Sequence, residues 1–301
     1  MNGAPPKLLA PLRGVTIRCF REVFAEAVSS AGFVEAVTPF ISANAGVDPL
    51  RDRELKGDRC GTEPVRVTPQ FIGKDPEALR ECLLKVKAAG YDTVDLNAGC
   101  PFPMVRNKGR GSGILKTPDV LRRMLEVGCE TMGEGRFSLK ARLGVDRPDE
   151  LLALMPMINV FPLRFLTVHA RTARQMYEGR CEVEMLREVE EAAEVPVVIN
   201  GDIPFPPTVR SAEKTVNQSI GQSTDSLMIG RSFIRHLGVR DDAGELVRRY
   251  AEASCSELCG DRPVLGRMKE LLSYWKDLPG WRRKWDVIKI CRSVDELLTA
   301  V

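Results

Sequence analysis

Eight short apolar runs recur along the first three-quarters of the chain, at 8–11, 33–41, 65–72, 92–98, 136–142, 164–170, 195–200 and 225–230. Each is rich in β-formers, and the stretches between them carry apolar residues at helical spacing, the alternation of a parallel α/β fold. Several helix boundaries are written locally. Asp75-Pro76 opens one segment and Gly90 closes it, and Thr117-Pro118 opens the next, the usual cap and first-turn chemistry. Eight such units predict a TIM (β/α)8 barrel. A doubly wound sheet would use similar units, but no Gly-x-Gly-x-x-Gly turn follows the first run, which argues against it.

In a barrel, chemistry sits where strands end and βα loops begin. The predicted ends are polar: Pro11-Leu12-Arg13, Gln70, Asn97 with Cys100, Lys140 with Arg142, His169 with Arg171, Asn200-Gly201-Asp202 and Gly230-Arg231. Lys140 lies between Leu139 and Ala141 and faces the opposite way, into the barrel mouth or towards a helix. An inward ammonium would need an anionic partner, because burying it unpaired costs several kcal/mol. His169, one of two histidines, ends another strand. Strands seven and eight end in Asn-Gly-Asp and Ile-Gly-Arg, the two loops with which barrels commonly hold phosphate.

The densest stretch is 95–115. A strand ends in Asp95-Leu96-Asn97, Cys100 is followed by Pro101, and Gly109, Gly111 and Gly113 alternate with polar residues beside Lys108. Such a segment is expected to present a thiol beside a mobile, basic loop able to close over an anion. Taken singly, a cysteine is most often a buried hydrophobe and a glycine a turn; their combination with the polar strand ends favours function.

Composition narrows the setting. The 301 residues are 44% hydrophobic with a net charge of +3, enough for a large core and too little charge to establish nucleic-acid binding. The nine cysteines are odd in number and scattered, which reads as free thiols in a cytoplasmic enzyme rather than a disulfide framework. Cys255 and Cys259 lack a second pair or a nearby histidine, so no metal site is expected. No run approaches the roughly 20 apolar residues of a membrane span, and no signal peptide is read at the start. Charge does concentrate late: between Arg262 and Arg292 nine Lys or Arg face three acids, among Trp275, Trp281 and Trp285. The expected division is a barrel over 1–240 and a small helical domain over 241–301.

These motifs resemble those of the dihydrouridine synthases, flavin enzymes that reduce uridine in transfer RNA. Asp95, Asn97, Gly99, Cys100 and Pro101 match their D-x-N-x-G-C-P signature, and VHARTARQMYEG is similar to V-H-x-R-T-x-x-Q-x-Y. LLAPLRGVT, VTPQFIG, SLKARLG, VVINGDI and MIGR resemble the remaining family motifs. The resemblance implies FMN contacts at Pro11, Leu12, Arg13, Gln70, Lys140, His169, Asn200, Gly201, Asp202, Gly230 and Arg231. It implies substrate contacts at Asn97, Arg171 and Tyr177, and transfer-RNA contacts at Arg267 and Lys269 in the tail. Leu12 stands where the family has Met, Pro39 where many members have Glu, and the loop reads G-R-G-S-G in place of G-G-G-S-A.

The implied reaction has NADPH or NADH reduce the flavin, hydride pass to the uracil, and Cys100 supply the proton. An ordinary thiol, with a pKa of about 8.5, is mostly protonated at neutral pH and can serve as an acid. A monomer is expected. Two other readings share parts of this pattern: a flavin barrel acting on a free pyrimidine, and an RNA-binding relative without turnover. A barrel using Cys100 as a covalent nucleophile is a third.

Overall fold

The computed structural model describes residues 6–57, 64–206 and 226–301. Its parallel strands form one sheet of ten short pieces. Four of these pieces are two strands, each broken at a proline. The first is Phe33–Val37 with Ile41–Ser42, interrupted around Pro39, and the second is Arg66–Thr68 with Gln70–Ile72, interrupted at Pro69. Proline lacks the N–H a ladder needs, so pairing lapses there and resumes beyond it. We number the strands β1 (Lys7–Leu9), β2 and β3 (the two split strands), β4 (Val94–Ala98), β5 (Phe137–Gly144), β6 (Leu166–Thr172), β7 (Val197–Asn200) and β8 (Ser226–Ile229). Each pairs in parallel with its successor, and β8 returns to β1 through Leu8 opposite Met228, so the ring closes. The predicted eight-stranded barrel is the observed fold. Of the eighth run, Asp225 lies outside the described residues.

Alternation along the strands sorts the core into two layers. Leu166, Val168 and Ala170 of β6 join the large cluster between sheet and helices, which leaves Thr167, His169 and Arg171 on the inner face. Inside the barrel, Leu8, Ala10, Val37, Phe165, Val198 and Met228 form a small apolar plug. The other half of the interior, contributed by β3 to β6, is polar.

The capping expectations are met in part. Asp75 accepts from the N–H groups of Glu77 and Ala78 at 3.0 and 3.3 Å, ahead of Pro76 in the helix Pro76–Ala88, and Gly90 follows at φ +96°. Thr117 instead donates to the carbonyl of Ile114, so the helix Pro118–Met132 begins without a side-chain cap.

Four helices follow residue 240: Ala243–Glu257, Asp261–Ser273, Arg282–Ile288 and Val294–Ala300. They share one apolar cluster with the barrel. Tyr250 packs on Phe20 and Phe24, and Arg18 pairs with Glu257. Trp275 and Trp281 donate their indole N–H groups to the carbonyls of Ile234 and Gly238 at 2.6 and 2.7 Å. These two rings are therefore anchors between tail and barrel, not an exposed stacking surface. Among the described residues no helix is long and apolar enough to cross a membrane.

Candidate active site

The polar half of the barrel is a continuous hydrogen-bonded array. Asp95, fully buried in β4, accepts from Ser138 Oγ and Gln70 Nε2, each at 2.7 Å. Gln70 Oε1 accepts from Asn97 Nδ2 at 2.7 Å, and Asn97 Oδ1 accepts the N–H groups of Gly99 and Cys100 at 3.1 and 2.9 Å. The Asn97 side chain, expected to face the substrate base, thus has its oxygen and one N–H engaged in holding the Cys100 turn.

Cys100 is clamped from the other side as well. Its carbonyl accepts from both the N–H and the hydroxyl of Ser112, at 3.1 and 2.9 Å, and Arg142 Nε donates to the neighbouring Gly99 carbonyl at 2.9 Å. The glycine-rich segment differs from the mobile loop expected. Residues Gly111–Leu115 are buried in a 3-10 turn, Gly111–Lys116, folded against Cys100. A Cβ on Gly111 would lie 2.7 Å from that of Cys100, and one on Gly113 would lie 2.2 Å from the Arg106 carbonyl oxygen. Here glycine serves close backbone approach rather than an open anion cradle.

Electrostatics set the protonation states. Burial pushes the Cys100 thiol up, against smaller opposing effects of the Phe102 backbone, Arg13 and Arg142. The thiol is therefore protonated at neutral pH. Lys140 points inward as the strand pattern allowed, with Nζ 3.0 Å from Asn200 Oδ1. Burial, helped by Arg142, lowers it to about 8, while Asp95 opposes that shift. Burial also raises Asp95 to about 6. His169 is held well below its usual range by burial, then by Arg142, Lys140, Arg171 and Arg231, so its ring is neutral.

These shifts predict a stability profile. Between about pH 8 and the ordinary lysine value near 10.4, the folded protein has shed the Lys140 proton and the unfolded chain still carries it. Folding stability gains with pH across that window. We expect thermal melts of the ligand-free protein to show a gain from pH 8 to 10 relative to Lys140→Met; parallel profiles for the two proteins would refute the buried-lysine assignment.

Not every expected contact reaches the mouth. Arg171 is 1% exposed and donates to the carbonyls of Glu178 and Gly179 and to the Asp202 carboxylate. It staples the loop after β6 to the loop after β7, rather than facing a substrate. Arg231 reaches Asp202 at 2.7 Å. Tyr177, well exposed, has the Arg142 and Arg231 guanidiniums over its ring at 5.2 and 5.1 Å, with His169 edge-on at 6.3 Å. Pro11 and Leu12 are half-buried at the end of β1, where the Leu12 N–H donates to Thr16 Oγ1. Arg13 is exposed over the Phe40 ring. Gly201 is buried against Cys181, and Gly230 is half-buried beside Ala10 and Leu12. In the tail, Arg267 binds Ser254 and Glu257, and Lys269 binds the carbonyls of Lys289 and Cys291. Both heads are therefore used within the tail itself.

Two residues went unassigned from sequence: Asp95, the counter-charge to Lys140, and Arg142, which joins the Cys100 turn to the carbonyls of Thr172 and Met176. Both had a signal, an ionisable residue on the inner face of a buried strand.

The donor set suits a polar, planar ligand. His169 Nδ1 is buried with no hydrogen-bond partner in the protein, a state a native site reserves for a bound group or water. Lys140 and Asn200 sit on the strands either side of it, β5 and β7, and Gln70 on β3.

The sequence model of the dihydrouridine synthase (Dus) family matches residues 8–256. A tRNA-dihydrouridine synthase B from Serratia marcescens is 27% identical over 285 residues, spanning 91% of this chain and 79% of that protein. Its counterpart from Vibrio vulnificus (strain CMCP6) is 30% identical over 225 residues, 74% of this chain and 66% of that protein. Among solved structures, morphinone reductase superposes with a TM-score of 0.52 at 12% identity, over 76% of this chain and 83% of its own. An old yellow enzyme homologue from Zymomonas mobilis gives 0.51 at 13%, over 76% and 85%. At such identities the likeness is one of fold alone.

Proposed function

Because the chain belongs to the dihydrouridine synthase family, we propose that it reduces uridine in transfer RNA to 5,6-dihydrouridine, with FMN as cofactor and NADPH or NADH as reductant. The observation that carries this reading is a buried thiol, Cys100, clamped through its backbone at the end of β4, in a barrel whose next two strands carry the inward Lys140 and the partly unpartnered His169. Gln70, Lys140, His169 and Asn200 would hold the flavin ring and ribityl edge, and the loops at Gly201-Asp202 and Gly230-Arg231 its phosphate. When bound, the flavin supplies the hydride. Cys100 supplies the proton at carbon 5 of the uracil. A positioned acid needs its proton rather than a thiolate, and burial provides that state. Lys140 stays close to an acceptor at Asn200 and balances the charge of Asp95.

Tyr177, braced by two guanidiniums at the rim, offers a face for a base drawn out of its stack. The tail, residues 241–301, is proposed as the RNA grip. Since Arg267 and Lys269 are used internally, exposed cations such as Arg262, Lys276, Arg282, Arg283 and Arg292 are the ones available to phosphates. We place the enzyme in the cytoplasm, as a monomer.

The test is spectral. The purified holoprotein is expected to show a flavin spectrum that bleaches with NADPH under nitrogen and recovers on adding unmodified transfer RNA. Recovery with free uracil or uridine alone would move the assignment to a small-molecule oxidoreductase. Absence of flavin after reconstitution would overturn it.

A further inference from the structure

We infer that Asp95 is a positioning residue for Cys100: its carboxylate fixes the orientation of the Gln70 amide and, through it, of the Asn97 amide that holds the Cys100 turn. The inference rests on the reading of Cys100 as the proton donor. A side-chain amide has a donor end and an acceptor end of nearly the same shape, so packing alone does not choose between its two orientations. An ionised carboxylate does choose, because it only accepts. Asp95 Oδ2 takes the Gln70 Nε2 donor, which turns Gln70 Oε1 towards Asn97. Asn97 must answer with its Nδ2, and its oxygen is left facing the N–H groups of Gly99 and Cys100. Were the chain reversed, an NH2 would oppose two backbone N–H groups and the turn would lose both bonds. The buried carboxylate, two side chains removed from the thiol, thus sets from one end the same polarity that the donor-only N–H groups of Gly99 and Cys100 require at the other.

Ser138 supplies the other half of the argument. Its hydroxyl donates to Asp95 Oδ1 at 2.7 Å, and the carbonyl of Val94 lies 3.3 Å away as a second acceptor. In Asp95→Asn, the hydroxyl can turn to Val94 and accept the new NH2, leaving the amide oxygen for Gln70. Polarity then survives without charge. Asp95→Ala removes the acceptor altogether and leaves the Gln70 amide free to flip.

The experiment is site-resolved alkylation of the flavin-loaded protein by iodoacetamide, read by mass spectrometry at each cysteine. Buried Cys82 and Cys129 report general loosening of the fold, since neither touches the array. In Asp95→Ala we expect Cys100 alone to react faster, on the order of tenfold, as loss of the turn's hydrogen bonds frees local opening. Asp95→Asn is expected within about twofold of the wild type, its acceptor retained. Asp95→Leu, closer in volume to the native side chain, removes the same acceptor and should match Asp95→Ala, which keeps the test intact if the alanine variant does not fold. An equal rise at all three cysteines, no rise at Cys100, or an asparagine variant as fast as the alanine one would overturn the proposal. The readout needs no RNA turnover, so failure of the uridine-reductase reading would show separately, in the spectral test.

Discussion

Replacing Cys100 by alanine is expected to leave reduction of the bound flavin by NADPH within about twofold of wild type and to slow transfer-RNA-dependent reoxidation by roughly 10² to 10⁴, the usual contribution of a positioned acid. The split follows from where the thiol sits. It belongs to the β4 loop and makes no hydrogen bond to Gln70, Lys140 or His169, the residues assigned to the flavin. Its removal leaves the clamp of Asn97, Ser112 and Arg142 in place, because all of those bonds are to backbone atoms. Stopped-flow absorbance of each half-reaction is the measurement. Equal loss in both would mean that Cys100 supports the flavin site as a whole, and unchanged reoxidation would assign the proton to another group. Serine at this position is expected to recover little, since a hydroxyl is a much weaker acid than a thiol.

Replacing Trp275 by alanine should cost about 3–5 kcal/mol, the range for deleting a large buried aromatic. The ring is fully buried, donates to the Ile234 carbonyl and meets Trp281 edge-on at 4.6 Å. Gly238 is packed against it so closely that a Cβ there would lie 2.7 Å from the indole. Deleting the ring therefore opens a cavity at the seam between tail and barrel and strands a carbonyl. At roughly 2–4 °C per kcal/mol for a protein of this class, calorimetry should show a fall in Tm of about 6–20 °C. Affinity for transfer RNA should fall with it, while flavin reduction at a temperature where the variant remains folded should change little. A melt within a degree of wild type would show that the tail is held by other contacts.

Arg171 and Trp275 show why some roles were legible in the sequence and others were not. The motif around Arg171 pointed to the right loop. A strand ending in arginine looks the same whether the guanidinium faces a ligand or ties down its own loop, and only the folded path of residues 172–180 decides which carbonyls it meets. For the tail, sequence gave a cluster of cations and tryptophans that fits an RNA surface and an amphipathic bundle equally well. Packing sorted the individual side chains: the indoles of Trp275 and Trp281 went inward to carbonyl partners, and Arg267 and Lys269 were consumed by the bundle. The glycines at 111 and 113 misled for a related reason. Glycine marks either freedom or closeness, and closeness depends on what another segment brings alongside.

What the sequence determined by itself was the repeat of strand and helix, the closure of eight strands, and the set of polar residues at the strand ends. Periodicity and strand-end position follow from local geometry, so they can be counted along a chain. The tertiary structure decided which of those polar groups meet one another. The acceptor-to-donor order from Asp95 through Gln70 and Asn97 to Cys100 joins β3 to β4, and the Lys140–Asn200 contact reaches from β5 past β6 to β7. So do the shifts that keep the thiol protonated and the histidine neutral, because burial and neighbouring charge are properties of the closed barrel and not of any one of its strands.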